Sequence, residues 1–345
     1  MKYKFLLLSL LTIVLVFSCK KKEEELKDYL GGNTTFTLPK YVNPGQRLTA
    51  SMGEAYAAED VEITYMWTAS STKVLSDTIP GRELVMVVPD TTGAFIINAI
   101  AEADEYYDKV YNQTINIVKL SNDSESSLQG VVHGENFIID PRDGYKYHYT
   151  TIGSLDWFEN NLAYAGKDGK ALGVGYEDAD IMGKIFGRLY SWEDATGGVS
   201  ASGLGQGPQG ACPEGWSVPT KEDWEDFAKT LNNGEAVDFD SKWDELGGPL
   251  MVDAEFNGEE MWAYSPNNYR VNKYNWNALA GGHSQSSYKA FKNINIMGMW
   301  WSSTERSSNE ALYRFIHYNQ NYFDRHAVNK TEFGVSVRCV RVAAY

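Results

Sequence analysis

Residues 212–231 read Cys212-Pro213-Glu214-Gly215-Trp216-Ser217-Val218-Pro219-Thr220-Lys221-Glu222-Asp223-Trp224-Glu225-Asp226-Phe227-Ala228-Lys229-Thr230-Leu231. Thr220 followed three residues later by Asp223 is a capping signature, and Trp224, Phe227, Ala228 and Leu231 at i, i+3, i+4 and i+7 form one apolar helical stripe. Asn232-Asn233-Gly234 ends that helix. Glu222, Asp223, Glu225 and Asp226 occupy its first turns and polar face, where they favour the N-terminal dipole and read as a solvated face rather than an acid/base pair. A shorter helix is expected from Ser191, with Trp192 and Ala195 inward and Gly197-Gly198 as its stop. Elsewhere the 345-residue chain, with 10 Trp, 22 Tyr and 13% aromatic residues, has the bias of β-rich or loop-rich modules.

Working outward, strands are expected over Asn136 to Ile139 and Tyr145 to Ile152 before the helix, and over Tyr313 to Tyr318 and Gly334 to Val342 after it. The stretch from Gly247 to Met299 reads as loop-rich. Further upstream, Phe36 to Leu38, Arg47 to Ala50, Val61 to Trp67, Leu84 to Val88 and Ala94 to Ile100 are short apolar or alternating segments. Asn43-Pro44-Gly45, Pro80-Gly81 and Asp90-Thr91-Thr92-Gly93 punctuate them as turns, the pattern of an all-β sandwich. Tyr65 and Trp67 share a strand face, so Trp67 is expected between two sheets. The expected organisation is an N-terminal all-β Ig-like sandwich over 33–120, a polar linker over 121–130, and an α+β domain over 131–345. The sandwich pattern resembles PKD-like and Ig-like spacer modules of bacterial surface proteins.

The N-terminus carries its own signal. Lys2 and Lys4 precede an apolar run from Phe5 to Phe17, about 20 Å long as a helix and too short for a bilayer core of roughly 30 Å. Residues 1–18 therefore read as a signal peptide. Ser18-Cys19 at its end resembles the lipobox of bacterial lipoproteins, which implies Cys19 as the lipidated residue. Residues 19–32, with Lys20-Lys21-Lys22-Glu23-Glu24-Glu25, read as a charged tether, a stretch that in Bacteroidota lipoproteins resembles the signal for the outer face of the outer membrane. The net charge is −15, and cleavage removes two lysines and no acid, so lipid rather than charge must hold the chain to a membrane. The same acidity disfavours nucleic acid as a partner. In an exported chain the remaining pair, Cys212 and Cys339, is expected to form a disulfide, with two buried thiols as the alternative.

Asp140-Pro141-Arg142-Asp143-Gly144, Tyr190-Ser191-Trp192-Glu193-Asp194-Ala195, Cys212 to Thr220, Trp300-Trp301-Ser302-Ser303-Thr304-Glu305 and Ser336-Val337-Arg338-Cys339-Val340-Arg341 together resemble the Fibrobacter succinogenes major paralogous domain, in matching order over 136–345. The resemblance implies a C-type lectin-like fold, with Cys212 before the helix bonded to Cys339 in the last strand. That fold can hold Ca²⁺ and glycan through Glu-Pro-Asn and Trp-Asn-Asp motifs. Here Ser265-Pro266-Asn267 and Asn275-Trp276-Asn277 depart from both, so a Ca²⁺ lectin site is not expected. The chain is also similar to the formylglycine-generating enzyme group. That chemistry needs a reactive cysteine pair, and the two cysteines here stand at structural positions. No enzyme activity is expected.

Other constellations carry no chemistry. Gly205-Gln206-Gly207-Pro208-Gln209-Gly210 imitates a dinucleotide fingerprint, but Pro208 and Pro213 bar the helix it requires. The five histidines have no helical pairing and no nearby cysteine, so zinc and other metals are not expected. Asp178, Asp180 and Gly183 imitate a Ca²⁺ loop whose fifth position is Met182. No cofactor is expected. Trp216, Trp224, Trp300 and Trp301 read as core.

Between Phe256 and Tyr288 aromatic residues alternate with asparagines without periodicity. Flat rings and amides suit sugar faces and hydroxyls, and also protein surfaces. Trp262, Tyr264, Asn267, Asn268, Tyr269 and Tyr274 are the candidate ligand-binding residues. The expected function is a cell-surface lipoprotein that recognises glycan or protein through these loops. The alternative is a structural or assembly component of the outer-membrane surface.

Overall fold

The computed structural model describes residues 26–120, 127–167, 169–266 and 268–344. The signal segment, Cys19, most of the tether, residues 121–126 of the linker and Asn267 lie outside the described residues. The chain is predominantly β-sheet with few helices. Among the described residues no helix is long and apolar enough to cross a membrane.

The N-terminal unit contains β1 (Asp28–Tyr29), β2 (Gly31–Gly32), β3 (Tyr41–Val42), β4 (Arg47–Ser51), β5 (Ala55–Tyr56), β6 (Thr64–Ala69), β7 (Ile79–Pro80), β8 (Glu83–Val87), β9 (Gly93–Glu102), β10 (Tyr106–Tyr107) and β11 (Lys109–Ile117). A five-stranded sheet runs β3-β11-β9-β6-β7, and β4 pairs with β8 in a separate antiparallel ladder. Alternation along β8 buries Leu84 and Met86 while exposing Val85 and Val87. Leu48, Leu84 and Met86 from the ladder meet Trp67, Ile97, Ala99, Ile115 and Ile117 from the larger sheet in one apolar cluster. Trp67 is fully buried, edge-on to Phe36 at 4.8 Å.

Two strand expectations need correction here. Phe36 and Leu38 point inward, but no ladder forms at 36–38. The Gln113 side chain takes the place of a neighbouring strand, accepting from the Leu38 amide at 2.9 Å and donating to its carbonyl. Conversely β11 was not among the expected strands, because its first half turns Val110 and Tyr111 outward and it shows only Ile115 and Ile117 to the core.

The C-terminal unit contains β12 (Phe137–Ile139), β13 (Lys146–Ile152), β14 (Leu155–Phe158), β15 (Met297–Glu305), β16 (Glu310–His317), β17 (Tyr322–Asn329) and β18 (Val340–Val342). Its helices are α1 (Asp180–Phe186), α2 (Trp192–Thr196), α3 (Lys221–Leu231) and α4 (Gly247–Leu250). One sheet runs β12-β13-β14-β18, and a second is the β15-β16-β17 meander with Trp243–Asp244 added to β17. The third joins Tyr190–Ser191, Gly334–Val335, Gly281–Gln285 and Ala290–Ile294 in that order. The stretch expected to be loop-rich thus supplies α4, four strands (Glu255–Phe256, Glu259–Glu260, Gly281–Gln285 and Ala290–Ile294) and the start of β15, and β17 is a further strand outside the expected set. Gly281-Gly282-His283-Ser284-Gln285 has no β-branched residue to announce it.

α3 forms as its sequence dictates. Thr220 caps it by accepting from the Asp223 amide at 3.2 Å, while the Asp223 carboxylate accepts from the Thr220 amide at 2.9 Å. Trp224, Phe227 and Ala228 are fully buried. The acidic face, however, is not merely solvated. Asp223 is completely buried and also accepts from the Gly205 amide at 2.6 Å. Burial lifts its carboxyl to about 6, against those hydrogen bonds. Glu222 accepts from Gly203, Glu225 from Phe239 and Asp226 from Ser154. Each carboxylate answers a loop amide that no strand satisfies.

Cys212 and Cys339 are joined by a disulfide with Cα atoms 5.8 Å apart and a sequence separation of 127. It ties the segment entering α3 to the segment entering β18, reinforced by a bridge between Ser217 and Val340.

The two units are in contact. Tyr41 meets the rings of Tyr176 and Phe256, Lys40 pairs with Glu177 at 2.7 Å, and Val118 belongs to the large C-terminal core cluster. The far end of the expected linker is packed as well. Ser127 is buried, its hydroxyl accepts from the Lys119 amide, and Leu128–Gln129 pairs with Glu255–Phe256.

Candidate functional site

The segment from Met251 to Ala280 is long and irregular, and its backbone needs partners from outside. Trp262 is fully buried, and its Nε1 donates to the Ala278 carbonyl at 3.1 Å. Asn268 is buried, and its amide donates to the Tyr318 and Gln320 carbonyls at 3.0 and 3.1 Å. Arg270 donates to the Trp262 carbonyl at 2.8 Å and pairs with Glu260 at 3.1 Å. Trp276 is fully buried, 4.7 Å from Trp300 and 5.3 Å from Phe227 of α3.

Arg338 holds this base from below. It is fully buried and donates to Asn161 Oδ1 at 2.6 Å, to the Phe158 carbonyl at 2.9 Å, to the Asn277 carbonyl at 2.7 Å and to the Trp276 carbonyl. Desolvation lowers its pKa to about 9, with the nearby Glu159 charge acting the other way.

What this frame displays is narrower than the expected residue set. Tyr264 is 72% exposed and Tyr269 80% exposed, and neither ring has an aromatic or cationic partner among the described residues. Tyr274 is half-buried beside the Lys273 ammonium. Trp262 and Asn268 are framework, not contact surface: the Trp262 Nε1–H and the Asn268 amide N–H donate inside the fold, and Asn268 Oδ1 is buried without a hydrogen-bond partner among the described residues. Asn267 lies outside the described residues. The enrichment in asparagine has a backbone cause: Asn257, Asn272, Asn275 and Asn277 all adopt positive φ, between 42° and 55°. Asn277 is buried, with its amide bonded to the Val132 carbonyl.

A cleft of about 710 Å³ lies elsewhere, lined in part by His133, His148, Glu159, Asn160, Lys184 and Asn277. The imidazoles of His133 and His148 stack with centroids 4.6 Å apart. His133 Nδ1 lies 3.0 Å from buried Glu159, and His148 Nδ1 lies 2.8 Å from the Gly134 carbonyl. Burial lowers the His148 pKa, which favours the neutral ring. Among the described residues no group of three His, Cys, Asp or Glu side chains is placed to hold a metal. Most polar groups of this cluster satisfy one another. Nothing in the spacing of His133, His148 and Glu159 announces this cluster, because they come together only through β12, β13 and β14.

No curated protein matches the chain. The family model for the Fibrobacter succinogenes major domain matches residues 150–341, which include α3, the disulfide, Arg338 and the tyrosine-bearing loop. That match spans more than half of the sequence, and the chain therefore belongs to the Fibrobacter succinogenes major domain family.

Proposed function

We propose that the chain is an exported, lipid-anchored surface protein whose C-terminal unit is a non-enzymatic recognition module for glycans. The observation that carries this reading is the pair of exposed tyrosines, Tyr264 and Tyr269, on a loop whose two tryptophans, Trp262 and Trp276, are fully buried. A tyrosine restrained by its backbone offers a flat face and a hydroxyl at little entropic cost, which is the chemistry a sugar ring requires. A C-type lectin-like assignment for this unit is supported by the disulfide between the α3 entry and the β18 entry. An Ig-like assignment for the N-terminal unit is supported by the two sheets that share Trp67.

The test is a broad glycan array probed with the Cys19→Ser chain, in Ca²⁺ and in chelator. Chelator-resistant binding is expected, because recognition here rests on rings and not on a metal. Loss of every hit in chelator would overturn the tyrosine-centred account, and silence from folded protein would overturn the glycan reading.

A further inference from the structure

A second group of exposed aromatics lies where the described chain begins. Tyr29 is 81% exposed, Tyr56 67% and Tyr107 41%, and Leu26 just before them is 91% exposed. They form one surface. The rings of Tyr29 and Tyr107 lie 5.0 Å apart because β1 and β10 pair in register, Tyr29 opposite Tyr107. Gly31 pairs with Tyr56, whose ring covers the Gly31 α-carbon so closely that any β-carbon there would collide with it. Residues 29 and 31 are two apart on extended backbone and share a face, while Leu30 between them is buried in a small cluster with Ala55 and Ala101. The Tyr106 hydroxyl, accepting from the Ala58 amide at 3.2 Å, and the Tyr65 hydroxyl, bonded to Ala55, brace the β5 segment beneath.

Only seven positions separate Cys19 from Leu26, so even a fully extended tether reaches about 25 Å. We propose that the Tyr29, Tyr56 and Tyr107 face rests on the headgroup layer of the bilayer that holds the Cys19 acyl chains. This rests on the lipid-anchor reading above. Tyrosine favours that layer because its ring is apolar and its hydroxyl stays hydrated. Asp28 and Glu105 adjoin the face, joined by the Asp28 amide and the Glu105 carbonyl, and Lys27 and Lys109, whose ammonium donates to the Leu30 carbonyl at 2.8 Å, stand beside them, so the face carries both signs and suits zwitterionic headgroups.

The test uses the full mature chain, acylated in cells or coupled through Cys19 to a maleimide lipid, on phosphatidylcholine vesicles. Hydroxyl-radical labelling is read at each tyrosine, and the Cys19→Ser chain mixed with the same vesicles is the reference. Labelling at Tyr29, Tyr56 and Tyr107 is expected to fall severalfold, with Tyr264 and Tyr269 unchanged. Unprotected tyrosines on a chain shown by mass to be lipidated would overturn the proposal and leave the anchor standing. An unmodified Cys19 in the protein isolated from cells would overturn both.

Discussion

Asp223 shows what a single residue can conceal. As the third residue of a helix it reads as a cap, which it is, but its burial beneath the Gly205 amide depends on a loop that folds over it. Because burial raises its carboxyl to about 6 from 3.8, the folded chain binds this proton more readily than the unfolded one. Its stabilising contribution is therefore complete below the unfolded value and is lost as pH rises through 6. The stability of the protein relative to Asp223→Asn should fall by about 2 kcal/mol between pH 4 and pH 7.5. Urea unfolding at several pH values measures this, and parallel curves would refute it. Arg338 is the second such residue. Arg338→Met should destabilise by about 3–5 kcal/mol, since four acceptors and the Glu159 charge lose their partner. Lysine should not rescue it, lacking the planar fork. The asparagines of the 257–277 segment point the other way: an enrichment that suggests sugar contacts is used largely for left-handed turns.

Elements differ in how plainly they are written. α3 was legible to its cap and its last residue because its cap, apolar stripe and stop agree. α1 was not, since its seven residues carry no side-chain cap. The strands at Gly281–Gln285 and Ala290–Ile294 were hidden by composition although they pair locally as a hairpin, and only the Ser284–Gly334 pairing reaches a strand distant in sequence. At this scale Thr220→Ala should cost about 1 kcal/mol, measured by thermal or denaturant unfolding. Replacing Cys212 and Cys339 with serine should cost about 4 kcal/mol, because the bond closes a loop of 127 residues in the unfolded chain. A loss below 1 kcal/mol would show that the α3 and β18 entries are held mainly by the surrounding core.

At the scale of the molecule, the change in pattern near residue 120 suggests two units, and nothing in that pattern announces that residues on its two sides touch. Tyr41, Lys40 and Val118 look like ordinary strand residues, and only the fold brings Tyr176, Glu177 and Phe256 against them. The N-terminal unit is thus joined to the C-terminal unit through an interface, not by linkage alone. Calorimetry should show a single transition for the wild-type chain and two for Tyr41→Ala, as the smaller unit loses its coupling to the larger. The candidate site was legible only in part. The segment was identified, yet which of its aromatics face outward depended on cavities and carbonyls supplied by distant strands. The most direct measurement is binding of wild-type and Tyr264→Ala/Tyr269→Ala chains to the strongest array glycan, with the disulfide intact in both. Affinity is expected to fall at least tenfold with unfolding stability unchanged, since both rings are exposed. Equal affinity in the two chains would contradict the assignment of recognition to this loop.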